Sequence, residues 1–143
     1  MGLLTRFSME QSKLYSCVID TSVWVALFLD ADTNHNKAVD FFNHLPEKVY
    51  IPYVVVVEAA TVLAYKHSKR QADQFLRFIS EDERCSILIG DGESEISAFI
   101  SIPDTISFAE VSIISTALRF QTVLFTFDTQ MEKVHKRLVA KSD

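Results

Sequence analysis

Four short apolar runs punctuate the chain, at Tyr15–Ile19, Val49–Ile51, Ser86–Ile89 and Thr122–Phe125, with helix-like stretches between them. Continuous rather than alternating apolar character suits strands buried on both faces. Strands separated by helical crossovers pair in parallel, so the pattern predicts an α/β fold, with a central parallel sheet of about four strands flanked by helices.

The helical stretches carry their own signals. Asp20-Thr21-Ser22 leads into a helix with Trp24, Leu27 and Phe28 on one side. Asp32 or Thr33 is expected to cap a second helix, whose Ala38, Phe41, Phe42 and Leu45 fall at i, i+3, i+4 and i+7. Tyr53–Val57 is β-branched and favours a strand by propensity. Yet it runs on through Glu58-Ala59-Ala60-Thr61-Val62-Leu63-Ala64 without a breaker or alternation, so a buried helix from Tyr53 to about His67 is expected. Further helices are expected over Arg70–Asp82 and Glu93–Ser101. Another runs from Ser107, which can accept from the Glu110 backbone N–H, to about Phe120. A last one starts at Asp128 and turns Met131, Val134 and Leu138 inward. Residues 1–12 lack pattern and read as a loose N-terminal arm, with a single domain over 13–143.

A chain of 143 residues is one domain with room for a sizeable core. Its three glycines, Gly2, Gly90 and Gly92, supply no phosphate-cradling loop, which excludes the common nucleotide-binding motifs. Cys17 and Cys85 stand far apart with no metal-ligand spacing, which favours reduced thiols and a cytoplasmic location. Neither a leader sequence nor an apolar run long enough to span a membrane is evident. A net charge of −5 argues against a passive nucleic-acid binder, but not against a nuclease whose positive charge arrives as bound metal.

The candidate chemistry lies in carboxylates. Ligand sites of parallel sheets lie beyond the carboxyl ends of the strands. Asp20 follows the first strand and Asp128 the fourth. Glu58 sits in a helix entered after the second strand, and Glu110 in the first turn of its helix. Carboxylates gathered at one sheet end repel unless protonated or bridged by cations. Hard oxygen donors without cysteine or a histidine pair favour Mg²⁺ or Mn²⁺, ions that serve phosphodiester hydrolysis. Each acid also has a plainer role open to it. Asp20 and Asp128 suit helix N-caps, Glu110 a capping box with Ser107, and Glu58 a buried salt bridge.

Val18-Ile19-Asp20-Thr21-Ser22-Val23-Trp24, Glu58 within Val-Val-Glu-Ala-Ala, Ile106-Ser107-Phe108-Ala109-Glu110 and Leu124-Phe125-Thr126-Phe127-Asp128 occur in that order. Together they resemble the motifs of PIN-domain nucleases, especially the small VapC-type toxins of toxin–antitoxin pairs. The resemblance spans about Tyr15 to Leu138. It implies RNA cleavage at a Mg²⁺ or Mn²⁺ site, a homodimer and a cognate antitoxin. Asp20, Glu58, Glu110 and Asp128 would form the acidic quartet, with Ser22 and Thr126 as supporting hydroxyls. Glu110 stands where the family usually has aspartate, which lengthens that arm by one methylene.

Two other readings compete. One is a PIN-like module that binds RNA or protein with impaired catalysis, which the Glu110 exchange favours. The other is a phosphatase with Asp20 as nucleophile, which usually needs a second aspartate where Ser22 stands. Asp104 is near enough in sequence to support the site, although a loop aspartate after proline suits a turn. The four histidines show no ligand spacing. Two basic groups, Lys66-Lys69-Arg70-Arg77 and Lys133-Lys136-Arg137-Lys141, are solvated faces unless phosphate recruits them.

Overall fold

The computed structural model describes residues 16–142. Met1–Ser12, expected as a loose arm, and Tyr15 lie outside the described residues. The strands are β1 (Ser16–Ile19), β2 (Lys48–Pro52), β3 (Cys85–Leu88) and β4 (Val123–Phe125), all parallel, in the spatial order β3-β2-β1-β4. The helices are α1 (Thr21–Phe28), α2 (His35–Phe42), α3 (Tyr53–Lys66), α4 (Lys69–Glu81), α5 (Gly92–Ser101), α6 (Phe108–Arg119) and α7 (Thr129–Ser142). From β1 the chain moves outward on one side through β2 and β3, then returns to place β4 on the other side. The order therefore reverses at β1 and β4, and the crevice beyond their carboxyl ends is where such sheets hold ligands.

Tyr53–Lys66 is helix despite its valines. Val55, Val56, Ala59 and Leu63 recur at helical spacing and are buried, so tertiary packing overrides β propensity. Pro52 ends β2 and sits at the N-cap of α3, where its missing N–H costs nothing.

Three expectations need correction. Helix α1 begins at Thr21, immediately after Asp20, leaving no intervening loop. Helix α2 starts at His35 with Asn34 at its N-cap, because Asp32 Oδ1 instead accepts from the Asn34 N–H at 2.8 Å in a turn. It ends at Phe42, and Leu45 packs on the core from the following segment. Finally β3, read as buried on both faces, is an edge strand with no buried residue, and Ile87 is 41% exposed.

The core has an aromatic centre. Trp24 is fully buried, with ring centroids of Phe42, Phe75 and Phe78 at 4.9, 5.5 and 6.0 Å. Phe41 stacks on Phe125 at 3.7 Å, which ties α2 to β4. This packing fixes α1 beneath the sheet end from which Asp20 emerges.

Candidate active site

Asp20 is held by the frame of the sheet. Its backbone N–H donates to the Phe125 carbonyl at 2.9 Å, continuing the β1–β4 ladder one residue past Ile19. Thr126, one residue past β4, therefore stands beside it. Thr126 Oγ1 donates to Asp20 Oδ2 at 2.8 Å and accepts from the Asp128 backbone N–H at 3.0 Å. A hydroxyl can do both at once, and here it fixes two acidic positions. Ser22 Oγ also donates to Asp20 Oδ2, at 3.1 Å. Although Asp20 occupies the N-cap position of α1, its side chain makes no capping bond. Burial raises its carboxyl above the ordinary range, the two hydroxyls and the Thr21 backbone oppose the rise, and Asp128 adds to it.

Asp128 has a structural role as well. Its Oδ1 accepts from the N–H groups of Gln130 at 2.9 Å and Met131 at 3.3 Å, capping α7. Its Oδ2 makes no hydrogen bond among the described residues. Glu110 lies in the first turn of α6, where Ser107 Oγ accepts from its N–H at 3.0 Å, the expected cap. Its carboxyl is pushed up by burial first and then by the negative charges of Asp128 and Asp20, against the pull of Ser107. The charge of Asp128 thus reaches both Asp20 and Glu110, and that of Asp20 reaches Glu110, at one end of the sheet.

Glu58, half-buried on α3, has no ion pair among the described residues. Its Oε1 accepts from Thr21 Oγ1 at 2.9 Å, so its partner is the residue next to Asp20. The sequence reading passed over Thr21; the available signal was a hydroxyl directly after a strand-end acid. Asp104 does not join the site. It forms a two-bond ion pair with Arg137, which holds its carboxyl below the ordinary range.

No three His, Cys, Asp or Glu side chains among the described residues stand close enough to hold a metal ion. The donor chemistry nevertheless fits a hard divalent cation. The acids at this sheet end are accompanied by hydroxyl groups, and Asp128 raises the proton affinity of Asp20 and of Glu110, a repulsion that a cation would relieve. Both thiols are unsuited to metal or redox work there: burial raises Cys85 to about 11 and Cys17 further still, and both are free.

A sequence profile of the PIN domain matches residues 17–137, a span that contains all four acids. The chain belongs to the PIN domain family. Its fold is shared with VapC20 of Mycobacterium tuberculosis, described as a sarcin–ricin loop cleaving toxin. That match has 20% identity and a TM-score of 0.74, covering 82% of this chain and 94% of that one. It is shared too with a chain of VapBC2 from Rickettsia felis, solved with a DNA fragment from the promoter, at 13% identity and a TM-score of 0.61, covering 82% of this chain and 92% of that one. FitAcB from Neisseria gonorrhoeae matches at 18% identity and 0.60, covering 84% and 93%. At these identities the likeness is one of fold. No curated protein is significantly similar to the chain.

Two predictions follow from this geometry. A raised native pKa means that the folded state holds the Asp20 proton more tightly than the unfolded chain does. Stability is therefore lost as pH rises from the ordinary carboxylate range through the raised native value. Asp20→Asn removes this penalty, so in metal-free buffer its melting temperature should exceed that of wild type at neutral pH, and the gap should close on acidification. Melting curves of both proteins across pH check this; a gap of zero throughout would mean that ionised Asp20 costs the fold nothing.

Thr21→Val keeps the shape of the side chain and removes the bond to Glu58, an interaction worth about 1 kcal/mol. If the acids take a divalent ion, it should weaken Mn²⁺ binding in calorimetry, and Thr21→Ser should restore it. Equal affinity in all three proteins would show that Glu58 needs no such support.

Proposed function

We propose that the protein is a metal-dependent endoribonuclease, the toxin of a toxin–antitoxin pair. The observation that carries this reading is the set of hydroxyl bonds that ties the acids to one end of the sheet: Thr126 joins Asp20 to the Asp128 backbone, and Thr21, the residue after Asp20, holds Glu58, while the charge of Asp128 reaches Asp20 and Glu110. A structural cluster of this kind would spend stability for nothing, whereas perturbed acids in a crevice suit catalysis. PIN domains are generally nucleases that use divalent metals, which supports the same conclusion.

In this reading Asp20, Glu58, Glu110 and Asp128 hold Mg²⁺ or Mn²⁺. Bound metal would supply Lewis acidity at the scissile phosphate and lower the pKa of water. The protein's own groups set the geometry. Thr126 and Ser22 aim Asp20, Thr21 aims Glu58, and the α7 cap holds Asp128 with one oxygen left over. Fixed hydroxyls keep the acids from turning away from one another in search of solvent, so the crevice is organised before substrate arrives.

The partners in this reading are RNA, an antitoxin and a second copy of the chain. VapBC2 and FitAcB, which share the fold, come from toxin–antitoxin systems and support the antitoxin. Helix α5 supports the second copy. None of its residues is buried, and Ile96, Phe99 and Ile100 are exposed beside Phe108, whose ring lies 5.5 Å from that of Phe99. Such a patch marks an interaction surface. No helix among the described residues is long and apolar enough to cross a membrane. Light scattering should give twice the chain mass for wild type and a monomer for Ile96→Lys/Ile100→Lys; a wild-type monomer would remove the second copy from this proposal.

Glu110 provides the test of the metal site. Glutamine preserves the Ser107 cap but not the charge a divalent ion needs. Glu110→Gln should stay within about 1 kcal/mol of wild-type stability while losing Mn²⁺ affinity and RNA cleavage. Glu110→Asp should retain both if the longer arm is dispensable. A wild type that binds RNA but neither binds Mn²⁺ nor cleaves would be a PIN-like binding module instead.

A further inference from the structure

We infer that the corner joining α3 to α4 receives the single-stranded RNA flanking the scissile phosphate. The inference rests on the ribonuclease reading and adds where the strand lies. Glu58 and Tyr65 are both on α3, seven residues apart. Seven residues make almost two full turns, so the two side chains share one stripe of the helix, about 10 Å apart along its axis. Thr61 and Val62 occupy the same stripe between them. A chain anchored at the carboxylates therefore has a continuous path to Tyr65.

What stands at the end of that path is unusual for this protein. Tyr65 is 88% exposed and makes no ring contact among the described residues, although tyrosines usually bury much of their apolar ring. The segment Tyr65-Lys66-His67-Ser68-Lys69-Arg70 is exposed throughout and contains no acid. Lys69 pairs with Asp73, but Lys66 and Arg70 have no acidic partner among the described residues. Arg77, one stripe along α4, has none either, and Arg70, Asp73, Gln74 and Arg77 line an open hollow. The three other arginines among the described residues are engaged: Arg84 with Asp82, Arg137 with Asp104, and Arg119 over the Phe120 ring.

The energetics favour a nucleic-acid strand at this corner. A protein of net charge −5 with an acidic crevice repels a polyanion overall, so attraction must come from local cations and from stacking. An exposed aromatic ring interleaved with unpaired cations offers both. An acidic protein segment would use the cations but leave the Tyr65 ring without a purpose, and the test separates the two. The two contributions also differ in their response to salt: phosphate contacts release counterions, whereas stacking on a ring does not.

The experiment is fluorescence anisotropy of a labelled, mixed-sequence single-stranded RNA with the full chain at several salt concentrations, with Ca²⁺ in place of Mn²⁺. Tyr65→Ala should weaken binding about tenfold with the salt slope unchanged, and Tyr65→Phe should restore it. Arg70→Ala and Arg77→Ala should each reduce the slope of log K against log salt by about 0.7. Melting curves should not move, since all three side chains are exposed. Wild-type affinity and slope in Tyr65→Ala and in the double arginine variant, with wild type binding and cleaving RNA, would overturn the inference and leave the ribonuclease reading standing. A wild type that neither binds nor cleaves RNA would overturn both.

Discussion

The pairing of β1 with β4 is the constraint on which the rest depends. It brings two residues 106 positions apart, Asp20 and Thr126, into hydrogen-bond contact, and through Thr126 it fixes Asp128. Carboxylates gathered at one sheet end repel, and burial enlarges the cost. Nothing in the acids themselves draws them together. The backbone ladder does so, and the hydroxyls of Thr126 and Ser22 then offset part of the cost of burying Asp20.

The helices complete what the strands begin. Aromatic packing around Trp24 sets α1, α2 and α4 together. Helix α1 presents Thr21 to Glu58, so a residue of the core-facing scaffold positions an acid carried by another helix. The cap of α6 does the same for Glu110, and the cap of α7 for Asp128. The residues that carry these structural roles are also the ones proposed to form the site. The cap of α7 engages Oδ1 of Asp128 and leaves Oδ2 without a hydrogen bond among the described residues.

Much of this was legible in the sequence because each signal was local. The strand runs, the Ser107 cap and the inward spacing of Met131, Val134 and Leu138 on α7 depend on neighbours within a turn or two. Even the valine-rich start of α3 could be read, since its pattern lacked alternation and continued unbroken into alanines. What could not be read depends on juxtaposition. The Thr21–Glu58 bond spans 37 residues. That β3 is an exposed edge follows from strand order, which an apolar run does not encode. Asp104 looked available until the fold brought Arg137 to it. At α2, Asp32, Thr33 and Asn34 are all plausible caps, and only the backbone of the preceding turn selects Asn34.

The opposite rim of the same strand pair is fastened as well: Ser16 Oγ donates to Thr122 Oγ1 at 2.9 Å. With a side-chain bond at each end, β1 cannot slide along β4 without breaking both, and a one-residue slip would also turn every side chain to the wrong face. The two aspartates are therefore mounted at the end of a strand pair whose register is fastened at both rims. The two glutamates, each with one more rotatable bond, are mounted on the flanking helices. Short arms on the frame set the position and long arms at the sides allow adjustment, so in the proposed ribonuclease small changes in what occupies the crevice would fall to Glu58 and Glu110 rather than to the sheet.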